Sequence, residues 1–400
     1  MRKLKYGMVG GSKDAFIGEV HRKAIAMTEA TELVCGCFSS KPEKSGQTGD
    51  MLFLPQNRVY SHFDEMINKE SELPEGERMD FLVIATPNFL HFEQAKAALT
   101  HGFHVVCDKP MTFNPEEAFL LADIQQQTGR EFCLTHAYNG YPMVKQAKAM
   151  ISDGRLGKIR KVVVAYPQGW LSQPIEQDGQ KQASWRTDPQ KSGISCTFGD
   201  IGVHAMNIVS YMTRLKIEAI AADLGTIVDS RKLDDDGSLF IRYEQKIRGL
   251  LTASQVCTGE ENELKVNIYG DKAGLEWLQS APNSLKIMPL DGPVQIYRTG
   301  KDNQYLSEPA LDACHLPSGH PEGYLEAFSN IYRNFTRKLQ SLIFGATFET
   351  FQVEFPGIKE GLEGMIFIET AVKATDTPEK WMNFNYHTNR ADQSDIKQHF

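Results

Sequence analysis

A lysine, an aspartate and a histidine are the residues whose types and positions could carry chemistry in this chain. Lys109 lies near the end of the apolar segment GFHVVCDKP (102–110). A buried ammonium group is unfavourable unless another group uses its charge, so Lys109 is either a catalytic lysine or an exposed lysine at a strand end. In GDIGVH (199–204), Asp200 precedes His204 by four residues. On a helix these side chains share a face and can converge on one ligand; alternatively, Asp200 is a helix cap and His204 is incidental.

A glycine cluster near the amino terminus indicates a nucleotide-binding turn. After the apolar stretch KYGMV (5–9), Gly10, Gly11 and Gly18 precede a helical pattern. Glycines at such a turn let backbone N–H groups approach a pyrophosphate, which lies at the N-terminus of the following helix. The residues SKDAF (12–16) lengthen the turn beyond the GxGxxG spacing. The alternative is a plain strand–helix turn that needs positive φ angles.

The end of the second strand bears on the choice of cofactor. An acidic residue there would bind the ribose diol of NAD. The sequence instead has Ser39, Ser40 and Lys41. Hydroxyl groups and a lysine can bind the 2′-phosphate of NADP, which favours acceptance of NADP. Alternatively, Lys41 is an ordinary surface lysine.

The motif TPNFLH (86–91) follows the third strand. Since the carboxyl end of that strand should lie beside a bound dinucleotide, we expect Thr86, Pro87, Asn88 and His91 to line the cofactor site. A turn at Pro87 with Asn88 as a helix cap explains the same residues, and the two explanations are compatible.

These residues need a scaffold, and the first third of the chain predicts one. Short apolar stretches alternate there with helical patterns, which is typical of a parallel sheet covered by helices on both faces. The predicted strands are 5–9, 32–38, 81–86, 104–108 and 131–136. We therefore expect a doubly wound, Rossmann-type α/β domain over residues 1–136 that binds NAD or NADP.

The pattern changes after residue 136. A strand at 158–166 is followed by stretches in which apolar and polar residues alternate, as in an antiparallel sheet with one buried face. Residues 137–400 are therefore predicted to form an α+β substrate-binding and oligomerisation domain with a large, mostly antiparallel sheet. Its expected helices run from Asp200 to Tyr211, from Tyr324 to Leu342 and from Lys359 to Lys373.

Three polar stretches interrupt this second region. Residues 171–184 are predicted to form a long loop, and Asp234 to Asp236 a short solvated acidic turn. The tail after Trp381 is expected to be a loose arm.

Composition excludes several classes of function. With 400 residues and a net charge of −8, the chain has room for two domains and no global field that attracts nucleic acid. No apolar stretch has the length of a membrane span. The seven cysteines are an odd number of scattered residues, typical of reduced core thiols, and none has the spacing of a metal site. We expect a cytoplasmic protein that binds neither metal, membrane nor nucleic acid.

Taken in order, these motifs resemble the Gfo/Idh/MocA family of oxidoreductases over nearly the whole chain. The resemblance rests on the glycine turn with His21, on TPNFLH, on GFHVVCDKP, on WRTDP…GDIGVH (185–204) and on HPEGYLEAF (320–328). This sequence has Asp108 where the family usually has glutamate. The lengthened glycine turn and the missing ribose-binding acid are the other departures.

The resemblance implies reversible hydride transfer between a nicotinamide cofactor and a secondary hydroxyl or ketone of a sugar or cyclic polyol. It assigns Lys109, Asp200 and His204 as the catalytic group. A histidine suits removal of the hydroxyl proton, a lysine can stabilise the oxyanion, and an aspartate can fix a substrate hydroxyl. It also implies a homodimer or homotetramer, with cofactor contacts at Asp108 and Lys109. Sugar contacts are expected at Tyr138, Asn139, Trp185 and Arg186. Alternatively, each of these four residues is a packing or surface residue.

Two other functions stay open. A redox-neutral glycoside-processing enzyme of the same family would use bound NAD only transiently. A regulatory protein would sense cofactor or sugar without turnover. The intact lysine, aspartate and histidine argue against the sensor, since a sensor need not retain all three.

Overall fold

Two sheets organise the chain in the computed structural model, which describes residues 1–386. The strands in chain order are β1 (Leu4–Gly10), β2 (Thr31–Cys37), β3 (Phe81–Ala85), β4 (His104–Cys107), β5 (Phe132–Leu134), β6 (Ile159–Pro167), β7 (Ile217–Gly225), β8 (Asp236–Tyr243), β9 (Arg248–Ser254), β10 (Lys265–Gly270), β11 (Ala273–Leu278), β12 (Ser284–Pro289), β13 (Gln295–Arg298) and β14 (Met382–Asn383). The α-helices of the described chain are α1 (Phe16–Ala26), α2 (Pro42–Met51), α3 (Phe63–Glu72), α4 (His91–Thr100), α5 (Pro115–Thr128), α6 (Pro142–Ser152), α7 (Lys181–Arg186), α8 (Pro189–Ser192), α9 (Val203–Thr213), α10 (Glu308–Ala313), α11 (Tyr324–Phe344) and α12 (Ile358–Asp376).

The first unit comprises Met1–Ala137 together with Tyr324–Gly361. Its five strands are parallel, in the order β2-β1-β3-β4-β5, and the central strand β3 is buried along its whole length. The predicted doubly wound parallel sheet is confirmed. Because the strands run in one direction, the glycine turn, the TPNFLH turn and Lys109 all follow the same edge of the sheet.

Helix α11 belongs to this first unit although it comes late in the chain. Phe328 and Tyr332 are buried in the same core as Tyr6 and Phe81. The Tyr332 hydroxyl also forms a short hydrogen bond with Nδ1 of His21 in α1. The domain division expected from the sequence did not include this return of the chain, because the pattern of an amphipathic helix does not reveal which core covers its apolar face.

The second unit comprises Tyr138–Gly323 and the described chain from Leu362 onward. Its nine-stranded sheet is antiparallel except where β6 pairs with β9. In β8, Leu239 and Tyr243 are buried while Phe240 is 63% exposed, so one face of the sheet is packed and the other is open. The predicted large, mostly antiparallel sheet is confirmed.

The acidic turn that the sequence suggested to be solvated is buried. Asp234 is 8% exposed and Asp235 is 0% exposed. The Asp235 carboxylate accepts hydrogen bonds from the backbone N–H groups of Ile227 and Val228 and from the Arg231 guanidinium. Buried carboxylates persist where donors surround them, and most of these donors are backbone groups that composition does not reveal.

Arg231 also anchors the polar stretch 171–184. Its buried guanidinium pairs with Glu176 at 2.9 Å and donates to the carbonyl of Leu171 at 2.7 Å. Helix α7 begins at Lys181, inside the predicted loop. A buried cation therefore fixes the segment that leads into α7.

None of the helices within residues 1–386 is long and apolar enough to cross a membrane. The seven cysteines are free thiols, and six of them are buried. Most of the tail expected to be a loose arm, residues 387–400, lies outside the described residues.

Candidate active site

The glycine turn joins β1 to α1 at the carboxyl edge of the parallel sheet. Gly10 and Gly11 have φ angles of +78° and +66°, which residues with a side chain rarely adopt. A Cβ on Gly10 would lie 2.4 Å from the carbonyl oxygen of Ala85, and a Cβ on Gly18 would lie 2.2 Å from the Cα of Gly11. Both the φ angles and the close approach of α1 require glycine, and the resulting cradle fits a pyrophosphate.

The lengthened part of the turn is braced by two helices. Arg22 of α1 donates to the carbonyl oxygen of Gly11 at 2.6 Å. Lys44 of α2 pairs with Asp14 of the turn at 2.5 Å. The extra residues are therefore held in place, and they leave the close approach of the glycines intact.

Ser39, Ser40 and Lys41 lie between β2 and α2. Ser40 and Lys41 are exposed, and Lys41 immediately precedes the first residue of α2. An ammonium group and hydroxyls beside a helix N-terminus suit a phosphate. The first acidic side chain after β2 is Glu43, in the first turn of α2.

His91 joins the TPNFLH turn to the segment that follows β4. Its side chain is fully buried, with Nε2 2.9 Å from the carbonyl oxygen of Thr86 and Nδ1 2.8 Å from that of Pro110. Burial lowers the pKa of His91, while the two carbonyl contacts oppose this shift. His91 therefore connects the turn after β3 to the segment after β4. The N-cap of α4 is Leu90, so Asn88 is not the cap of that helix.

Lys109 directly follows Asp108 at the end of β4. Oδ1 of Asp108 accepts hydrogen bonds from the backbone N–H of Lys109 and from the Thr135 hydroxyl, each at 2.9 Å. Asp108 therefore holds the backbone that carries Lys109 against the end of β5.

His136 lies beside this lysine, and the sequence reading did not single it out. The side chain is 1% exposed. Burial, and then the Lys109 ammonium, lower the pKa of His136 to about 3, while Asp108 opposes the shift. The imidazole is therefore neutral at physiological pH. Its place in THAY (135–138), directly after β5, was the available signal, because strand ends on this edge share one site.

Asp200 lies in a π-helical turn, Phe198–Gly202, which precedes α9. The sequence predicted a regular helix from Asp200, and a π-turn changes which side chains share a face. The N-cap of α9 is Gly202, so Asp200 does not cap it. His204 lies in the first turn of α9, with its ring perpendicular to that of Tyr138 at a centroid distance of 4.9 Å.

The Asp200 carboxylate is held by two side chains from distant segments. Oδ2 accepts hydrogen bonds from Nε of Arg186 at 3.1 Å and from Nε2 of Gln255 at 2.9 Å. The Arg186 guanidinium lies 4.3 Å from the ring centre of Trp185 and 5.8 Å from that of Trp170. Two indole rings therefore lie beside the half-buried ion pair of Arg186 and Asp200. Sequence reasoning missed Gln255 and Trp170.

Tyr138 and Asn139, both expected to contact a sugar, are buried. The Tyr138 hydroxyl bonds to the Tyr166 hydroxyl, which donates to the Asn262 side chain at 2.8 Å. Nδ2 of Asn139 donates to Oδ1 of Asn207 in α9 at 2.9 Å. These contacts support α9 and the residues around His204.

The predicted site residues divide between the two units. The glycines, the TPNFLH turn and Lys109 lie in the first unit, whereas Asp200, His204, Tyr138 and Arg186 lie in the second. Among residues 1–386, no group of three or more His, Cys, Asp or Glu side chains is placed to hold a metal ion.

Two family models match this chain. Residues 4–136 match the oxidoreductase family model with an NAD-binding Rossmann fold. Residues 144–276 match the GFO/IDH/MocA C-terminal domain. The chain belongs to the Gfo/Idh/MocA family. Its first matched region is an NAD-binding domain, and the glycine cradle described above lies within it.

Relatives match the chain along almost its whole length. The uncharacterized oxidoreductase YfiI of Bacillus subtilis (strain 168) is 29% identical, over 96% of this chain and 97% of that protein. An inositol dehydrogenase homolog from Azotobacter vinelandii, solved with NADH and myo-inositol, is 31% identical with a TM-score of 0.88, covering 96% of this chain and 98% of that chain. An oxidoreductase from Sinorhizobium meliloti is 37% identical with a TM-score of 0.85, covering 96% of this chain and all of that chain. The resemblance inferred from the motifs is confirmed.

The glycine cradle is tested by a matched pair of substitutions. Gly18→Ala should weaken NADH binding by about tenfold or more, because α1 must move away from Gly11 and a small displacement of binding groups has large effects. Gly46→Ala is the control, since a Cβ at this position in α2 meets nothing within 4 Å. Calorimetric titration with NADH measures both variants. Equal affinities would contradict this role of Gly18.

Proposed function

We propose that this protein is a nicotinamide-dependent dehydrogenase or reductase that interconverts a secondary hydroxyl and a ketone of a sugar or cyclic polyol. The observation that carries the proposal is the surround of Asp200, where Arg186 and Gln255 hold the carboxylate and the Arg186 guanidinium lies against the rings of Trp170 and Trp185. A carboxylate accepts hydrogen bonds from hydroxyl groups, and an indole ring offers a broad apolar face for the C–H groups of a sugar ring. Membership of the family supports the redox chemistry.

Each catalytic residue then has one role. His204 takes the proton of the substrate hydroxyl as the C–H bond breaks, and returns it in the reverse reaction. The Lys109 ammonium stabilises the negative charge on the oxygen. Asp200 accepts a hydrogen bond from a substrate hydroxyl and fixes the ring. The nicotinamide, when bound, supplies the hydride acceptor or donor.

The cofactor is held mainly by backbone groups in this proposal. The N–H groups around Gly10, Gly11 and Gly18 would bind the pyrophosphate, and residues of the TPNFLH turn would line the cofactor site. His91 contributes through the turns it joins, because its ring is buried. Ser39, Ser40 and Lys41 bind the 2′-phosphate, so NADP is accepted alongside NAD.

A redox-neutral glycoside-processing activity is the second candidate function. An assay of cofactor reduction distinguishes it from a dehydrogenase. Such an enzyme returns the hydride to its substrate within one cycle, so reduced cofactor does not accumulate. Accumulation of reduced cofactor with a free polyol therefore favours the dehydrogenase.

An assay of cyclic polyols and monosaccharides with both cofactors tests the proposed function. We expect absorbance of reduced nicotinamide to rise with myo-inositol or a related polyol in the presence of NAD, and also with NADP. Lys41→Ala should weaken NADP binding by about tenfold, the effect of one lost charge-assisted hydrogen bond, and leave NAD binding nearly unchanged. No reduction of either cofactor across the panel would contradict the dehydrogenase assignment. Tight NAD binding without detectable NADP binding would refute the cofactor proposal.

Substitutions at the catalytic residues test their roles. We expect Lys109→Ala and His204→Ala each to lower kcat by roughly 10²-fold or more, within the range for a positioned acid–base group. Asp200→Asn should also raise KM, since its carboxylate holds a substrate hydroxyl. NADH affinity should change little in His204→Ala. The exposed His101→Ala is the control and should turn over as the wild type does. A full kcat in His204→Ala would remove it from the mechanism.

The open face of the large sheet offers a surface for self-association. The strand register places Phe240, Leu250 and Val163 in one row across β8, β9 and β6, and Phe240 is 63% exposed. We propose that a second copy of the chain covers this face in a homodimer or homotetramer. Light scattering should give two or four times the 45.0 kDa of one chain. A monomer at micromolar concentration would refute this proposal.

A further inference from the structure

Gln255 is the first residue after β9, and its side chain is fully buried. Its Nε2 donates to Oδ2 of Asp200 at 2.9 Å, and its Oε1 accepts from the Thr197 hydroxyl at 3.0 Å. If the amide were turned around, its oxygen would face the carboxylate, so Asp200 fixes the orientation of the amide. Both polar ends of Gln255 therefore contact the segment that carries Asp200.

The backbone of Gln255 is also held on both sides. Its N–H donates to the carbonyl oxygen of Asp235 at 2.9 Å, and its carbonyl oxygen accepts from the N–H of Leu171 at 3.0 Å. Gln255 thus joins the π-helical turn, the acidic turn and the start of the polar loop. A side chain fixed at so many points can hold a neighbouring group in one orientation.

The same segment has a second anchor with a different target. The Asp234 carboxylate accepts hydrogen bonds from the backbone N–H groups of Cys196 and Phe198, each at 3.0 Å. Asp234 therefore fixes the backbone that leads into the π-helical turn. Gln255 contacts the Asp200 carboxylate itself, so a substitution at Gln255 acts directly on that carboxylate.

The charges around this segment come from several elements of the second unit. Burial, and then Asp234 and Asp200, raise the pKa of the Cys196 thiol, whereas arginine side chains lower it. The charged and titratable groups that act on this segment or on the Asp200 charge include Arg186, Arg231, Asp234, Cys196 and Tyr138. A neutral amide beside Asp200 is compatible with its ionised form, whereas a second carboxylate there would repel it.

We propose that Gln255 is a positioning residue that acts through Asp200, keeping its carboxylate ionised and in one orientation for a substrate hydroxyl. This inference rests on the proposed function, in which Asp200 accepts the hydrogen bond of that hydroxyl. Gln255 has no contact with the reacting atoms in this account. Its effect appears in substrate affinity and in the pH range of activity.

Two variants of Gln255 separate the effect of an added charge from the effect of a lost amide group. Gln255→Glu keeps the size of the side chain and adds a carboxylate, and Gln255→Met removes the amide without adding a charge. In Gln255→Glu the acidic limb of the kcat/KM profile should move to higher pH by about one unit or more, because two touching carboxylates share a proton. Gln255→Met should raise KM and move that limb to higher pH by less than Gln255→Glu does, because the carboxylate loses one donor and gains no neighbouring charge. NADH affinity should change less than about twofold in both, because the side chain of Gln255 contacts residues of the second unit, whereas the glycine cradle belongs to the first.

A measurement that needs no turnover distinguishes the test of Gln255 from the test of the proposed function. Carbon-13 NMR of carboxyl-labelled aspartate follows the titration of Asp200, whose signal is assigned by its loss in Asp200→Asn. The signal should titrate at higher pH in Gln255→Glu than in the wild type. An unchanged titration in the folded Gln255→Glu variant would overturn the inference. A shifted titration in a protein that turns over no polyol would support the positioning of Asp200 and contradict the proposed function.

Discussion

The carboxylate of Asp200 can stay in a half-buried position because donors from two distant segments converge on it. Arg186 comes from α7, and the loop before α7 is anchored by the buried Arg231. Gln255 comes from the end of β9, where the acidic turn holds its backbone. The polar loop, the acidic turn and the π-helical turn are thus parts of one arrangement around a single charge.

The parallel sheet was predictable because its information is local. Each strand is a short apolar stretch between turn signals, as expected for strands that are buried on both faces of a parallel sheet. The return of α11 to the first core was not predictable. Phe328 and Tyr332 mark an apolar face, but the identity of the surface that covers it is a long-range property. The same holds for Asp234 and Asp235, whose donors are backbone groups of other turns.

The residues of the candidate site were likewise predictable only in part. Residue type and position singled out Lys109, Asp200 and His204, because few groups suit proton transfer and oxyanion stabilisation. The groups that position them carry no such signal. His91 is buried against two carbonyl oxygens, and Gln255 is one of 22 glutamines in the sequence. Such residues are recognisable only once their partners are known, since an amide or a buried imidazole gains its role from geometry.

Hydride transfer between a polyol carbon and the nicotinamide is the central claim, and isotope transfer tests it most directly. The polyol that supports turnover is deuterated on its carbon atoms and incubated with the protein and NAD. Mass spectrometry and proton NMR then locate the label in the nicotinamide. We expect one deuterium at C4 of the reduced ring for each ketone formed. Product formation without deuterium in the released cofactor would contradict it.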